Sequence, residues 1–110
     1  MKYIFGQAGL VILLACGTIL SCSPAAAAQD AASNYKSKCV VCHGADGKGS
    51  AMGQKLGTHD FSSPDVQKET DAQLTEILTK GKGKMPAYGG KLSDSAIKDL
   101  VDYIRTLGKK

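Results

Sequence analysis

The chain has 110 residues, 14 basic and 10 acidic side chains, and no tryptophan, which limits it to one small domain with few large side chains for a core. The formal charge of +4 is spread along the chain without a basic run interleaved with aromatics, so a nucleic-acid interface is excluded as a reading.

The chain opens with a leader. Lys2 supplies a positive charge, Ala8 to Leu20 is almost wholly apolar, and Ala25 to Ala28 offer the small residues of a signal-peptidase site. Residues 1–28 therefore read as a secretory signal cut before Gln29, with the domain in 29–110. Two alternatives remain. Tyr3 to Gln29 carries no charge, and a spanning helix needs only about 20 apolar residues, so the segment could stay as an anchor. Ile19-Leu20-Ser21-Cys22 also resembles a lipid-attachment box with Cys22 acylated, although Leu20 is uncommon there. All three place the domain outside the cytoplasm, in the periplasm or its equivalent.

Without the leader, 13 basic and 10 acidic side chains remain, with one phenylalanine (Phe61), three tyrosines and two cysteines, Cys39 and Cys42. A domain this short buries a modest part of its surface and commonly needs a staple. Two cysteines separated by two residues close too small a loop to serve. Something other than side chains is expected to fill the core.

In chain order, the first helix is predicted from about Asp30 to Cys39, with Ala31, Tyr35 and Cys39 on one face. A loop follows from Gly44 to about Thr70, long enough to suggest a function or a wrapped group. Thr70-Asp71-Ala72-Gln73 has the form of a capping box. It starts a second helix with Leu74, Ile77 and Leu78 on its apolar face and Gly81 as the stop. Gly81 to Leu92 is a glycine-rich loop holding Met85-Pro86. Ser93 caps the last helix, Asp94 suits its dipole, and Ile97, Leu100, Val101, Ile104 and Leu107 form its stripe. No alternating strand pattern occurs, so the fold class is all-α.

The chemistry is concentrated in Cys39-Val40-Val41-Cys42-His43, the attachment signature for c-type haem. Two thiols at this spacing add to the two vinyl groups on one edge of a porphyrin, and the adjacent histidine binds the iron. The competing uses fit less well. A redox dithiol would follow a strand at a helix N-terminus, and none is predicted here. Zinc could draw on Cys39, Cys42, His43 and His59, but adjacent Cys42 and His43 chelate one ion awkwardly and a second pair is missing. A plain disulfide leaves the histidine unexplained. Haem uses all three residues.

A sixth ligand decides whether such a haem carries electrons or binds small molecules. Met85 is the candidate: it lies 42 residues past His43, outside any helical stripe, with Pro86 stiffening the backbone after it. A core gap-filler is the alternative for a methionine. Met52, nine residues past His43, is expected to pack or to be partly exposed. His59 would serve in a bis-histidine site, though a lone loop histidine is more often solvated. The expected role is one-electron carriage without enzymatic turnover, with His43 and Met85 as axial ligands in a pocket of Leu56, Leu74, Ile77, Leu78, Ile97 and Leu100. A soft thioether and apolar walls favour the ferrous state. The alternatives are a haem subunit or domain of a larger oxidoreductase, or a peroxidase or gas-binding protein.

These residues resemble the small class I cytochromes c. Tyr35 through Gly49, Met85-Pro86-Ala87-Tyr88 and the terminal helix with Tyr103 carry the resemblance, which is strongest to bacterial monohaem carriers including cytochromes c6 and the haem modules of oxidases. It implies one covalent haem c wrapped by three main helices and long loops. The partners it implies are redox proteins, such as a respiratory or photosynthetic complex, an oxidase or a dehydrogenase. It also implies that the terminal helices cross with Ala31 and Tyr35 against Leu100 and Tyr103. Two departures stand out. Many relatives carry a proline after the haem histidine, near the carbonyl that orients its ring, and Gly44 to Gly53 contains none. The tryptophan that often meets the haem propionates is missing too, leaving Tyr88, Lys55 and Lys84 for that role. Lys36, Lys38, Lys48, Lys82, Lys84 and Lys91 flank the haem-contacting segments; they form either a docking ring or, more simply, a solvated surface.

Overall fold

The computed structural model describes residue 17 and residues 24–110. The leader reading rests mostly on residues outside that range. The described chain is helical: α1 Pro24–Lys38, α2 Val40–His43, α3 Ala51–Lys55, α4 Pro64–Lys68, α5 Asp71–Lys80 and α6 Asp94–Gly108. Among the described residues the only β pairing is two isolated bridges, Lys82 with Met85 and Gly89 with Leu92.

Helix α6 is the spine. All five stripe residues, Ile97, Leu100, Val101, Ile104 and Leu107, are buried, and Ser93 Oγ accepts the Ala96 N–H at 3.1 Å as the cap. It packs against α1 and α5. The expected crossing of the terminal helices is present, with Ala31, Tyr35 and Leu100 buried and the Tyr35 and Tyr103 rings 5.3 Å apart. Helix α5 has both halves of its capping box: Thr70 N–H donates to Gln73 Oε1 at 2.7 Å, and Gln73 N–H donates to Thr70 Oγ1 at 3.1 Å.

Helix α1 begins about six residues before the expected Asp30 start. Alanine has the highest helix propensity and proline fits the first helical position, so the four alanines read as a cleavage site also propagate the helix. The stretch from Gly44 to Thr70 is less loop-like than its sequence suggests, because α3 and α4 each form one short turn within it. Ser50 caps α3 by accepting from Gly53 N–H, and Ser63 caps α4 by accepting from Val66 N–H just before Pro64. Segments of five residues are too short to display a period, which leaves these caps as their only local signal.

Arg105 ties this connection to the spine. Its Nε donates to Asp71 Oδ1 at 2.9 Å, one terminal nitrogen donates to the Val66 carbonyl at 3.3 Å, and the other donates to the Glu69 carbonyl. Its side chain is one-fifth exposed, whereas Asp71 is largely in water, so the carbonyl contacts outweigh the ion pair. Arg105→Ala should cost about 2 kcal/mol, the scale of hydrogen bonds to a charged donor. Arg105→Lys should recover less than half of that, because an ammonium lacks the planar fork. Urea midpoints for the three proteins test this, and a lysine variant as stable as the parent would contradict it.

Candidate haem site

The two cysteines and the histidine lie on one nearly continuous helical path. Cys39 N–H donates to the Tyr35 carbonyl at 2.9 Å, ending α1, and His43 N–H donates to the Cys39 carbonyl at 2.8 Å, closing α2. Gly44 then turns the chain with φ 75°, a conformation that other residues avoid. Neither cysteine forms a disulfide; Cys39 is buried and Cys42 half-buried. Burial pushes the Cys39 thiol pKa up, against an opposing pull from Lys38. Burial also lowers the His43 pKa, favouring the neutral imidazole that a metal requires.

Helix α3 braces this motif from outside. Ser50 N–H donates to the Cys42 carbonyl at 2.9 Å, and the Ser50 hydroxyl donates to the Val41 carbonyl at 2.7 Å. Gly53 presses against the same peptide so closely that a Cβ there would stand 1.7 Å from the Cys42 oxygen. Sequence reasoning passes over both residues; a serine cap three residues before a glycine is the available sign.

Met85 sits on a pinned turn. Its N–H donates to the Lys82 carbonyl at 2.9 Å, and its own carbonyl accepts from Lys82 N–H at 3.2 Å. Its side chain is partly buried against the core cluster that includes Cys39, Leu74, Leu78 and Leu100. Gly81 makes the turn fit, since a Cβ there would meet the Met85 oxygen at 2.6 Å. Tyr88 closes the site: its hydroxyl donates to the Lys38 carbonyl at 3.2 Å across 50 residues. The methionine segment is thereby joined to the residue just before Cys39. The pKa of Tyr88 is raised by burial and then by the nearby Cys39 and Cys42.

The remaining candidates fall outside this arrangement. Met52 is 53% exposed, in line with expectation, and Leu56 is 39% exposed. His59 is exposed. Among the described residues no group of three or more His, Cys, Asp or Glu side chains is placed to hold a metal ion, so the four zinc donors are not assembled. Among the described residues no strand precedes Cys39 to support a dithiol reading. The orienting carbonyl sought for His43 is not there either: Nδ1 is buried without a hydrogen-bond partner. The ring instead stacks on Phe61, with centroids 4.9 Å apart and planes inclined by 26°.

Two unpaired thiols, an imidazole with an unpartnered nitrogen, and a thioether brought to the same core are the donors that a covalent haem requires. Fold and site together define a small c-type cytochrome. Residues 26–104 match the family described as cytochrome C oxidase, cbb3-type, subunit III, and the chain belongs to that family of haem-bearing domains. It is 37% identical over 84 residues to the FixP subunit of the cbb3-type oxidase of Azorhizobium caulinodans, a match covering 74% of this chain and 28% of that protein. It is 36% identical over 70 residues to cytochrome c6 of Bumilleriopsis filiformis, covering 64% of this chain and 79% of that one. Among solved structures, the KustC0563 c-type cytochrome superposes with a TM-score of 0.67 at 30% identity, over 71% of this chain and 96% of its own. The chain spans 25 to 31% of the length of the oxidase subunits it matches. It is a monohaem class I cytochrome c with covalently bound haem c.

Proposed function

We propose that this cytochrome works outside the cytoplasm as a one-electron shuttle without enzymatic turnover, attached to its haem through Cys39 and Cys42 and ligated by His43 and Met85. The observation that carries this reading is the Tyr88 to Lys38 bond, which joins the methionine turn to the start of the haem-attachment motif. Haem iron supplies the ferric–ferrous couple. The protein's own part is to hold a neutral imidazole and a thioether on pinned backbone, so that little rearranges when the charge changes. Core residues such as Leu74, Leu78 and Leu100 keep water from the Met85 side chain. A peroxidase needs a distal acid–base side chain, and His59, the histidine besides His43, is exposed, which disfavours that class.

The location outside the cytoplasm is supported by the leader-like residues 1–28. Among the described residues no helix is long and apolar enough to cross a membrane. Redox proteins are the partners. The match to oxidase subunits supports a second reading, in which the domain feeds electrons within a larger oxidase. Intact mass of the exported protein should equal the chain from Gln29 plus one haem, and the reduced form should fail to bind carbon monoxide. Ready binding would favour the gas-binding class.

A further inference from the structure

Without a hydrogen bond to its Nδ1, the His43 ring needs another restraint, because the terminal torsion of a histidine is broad and soft. That restraint is Phe61, which covers one face of the ring and is itself 7% exposed. Phe61 is fixed on several sides. Its N–H donates to the Gly47 carbonyl at 3.0 Å, and its carbonyl accepts from Gln67 Nε2 at 2.6 Å. The Tyr35 ring meets it edge-on, with centroids 6.3 Å apart and planes at 62°. Gly47 leaves the space that the phenyl ring occupies, since a Cβ there would stand 2.4 Å from Phe61 Cδ2. Tyr35 completes the circuit by donating its hydroxyl to the carbonyl of Gly44, the residue after His43, at 2.6 Å.

We propose that Phe61 is the positioning residue that sets the plane of the His43 imidazole, with Tyr35 and Gly47 holding Phe61 in place. The proposal rests on His43 being an axial ligand. An acceptor on the free ring nitrogen strengthens a ligating histidine as a donor. Stacking fixes the plane without that effect, so His43 remains the weaker donor and the ferrous state is favoured.

Holoproteins carrying Phe61→Leu, Phe61→Tyr and Leu107→Ala test this by proton NMR of the haem methyls in the oxidised form, which report the plane of the axial rings, and by reduction potential. Phe61→Leu should change the order or spread of the methyl shifts and lower the potential as water reaches Nδ1. Phe61→Tyr keeps the ring and should retain both. Leu107→Ala truncates the same buried cluster from α6 while leaving the phenyl ring in place, and should lose stability while keeping the methyl pattern. Should Phe61→Leu not fold, Phe61→Met supplies a second ring-free side chain, longer and more adaptable. An unchanged methyl pattern and potential in the ring-free variants, or an equal change in Leu107→Ala, would overturn the proposal. Parent protein lacking a low-spin, histidine-ligated spectrum would instead remove the ligand assignment beneath it.

Discussion

Met85→Ala is expected to abolish the red-region absorption band that marks methionine bound to ferric iron, while leaving covalently attached haem. The reason lies in the turn. Gly81, the paired hydrogen bonds between Lys82 and Met85, and the Tyr88 hydroxyl on the Lys38 carbonyl hold this backbone independently of the methionine side chain. Removing the thioether therefore deletes a ligand without unmaking the loop. The potential should fall, because a thioether ligand raises it, and the reduced variant should bind carbon monoxide where the parent does not. Oxidised and reduced spectra with and without carbon monoxide check both. A surviving band would show that Met85 is packing only and would shift the sixth-ligand role to Met52.

Gly53→Ala should be the most damaging single methyl in the domain. The added carbon would stand 1.7 Å from the Cys42 oxygen and 2.7 Å from its carbonyl carbon, and both are backbone atoms that no rotamer change can move. Overpacking a rigid site costs roughly 1–3 kcal/mol, and more where the backbone must shift, so about 3 kcal/mol or above is expected. The damage also falls at the chemistry. Separating α3 from α2 breaks the Ser50 contacts to Val41 and Cys42, so the attachment motif should loosen and the yield of haem-bearing protein should drop with the denaturation midpoint. By contrast, Gly57→Ala meets no atom within 4 Å; its φ of 80° adds only backbone strain, and haem attachment should be spared. Equal yields of haem-bearing protein from the two variants would refute this account.

Much of the architecture is legible because it is written in local terms. The α6 stripe recurs at helical spacing and all five of its members are buried. The Thr70 and Gln73 box is a contact between residues three apart, so its hydrogen bonds follow from adjacency alone. The Cys39 to His43 motif is equally local, and its spacing already selects a haem over a disulfide or zinc. Helices α3 and α4 are hidden because one turn has no period to read.

What decides the rest is contact between distant segments. The turn bearing Met85 meets the haem motif through a bond spanning 50 residues, and no pattern near Tyr88 announces its partner. The missing proline points to a different carbonyl orienting His43, whereas the packed chain supplies an aromatic face 18 residues away. Residue type and spacing along one helix suffice to determine the cofactor and the long helices α1, α5 and α6 by themselves, because thioether attachment and backbone hydrogen bonding act over a few residues. Which side chain steadies the histidine, and where Gly53 must yield to Cys42, depends on the tertiary structure, since van der Waals fit exists only once the segments meet.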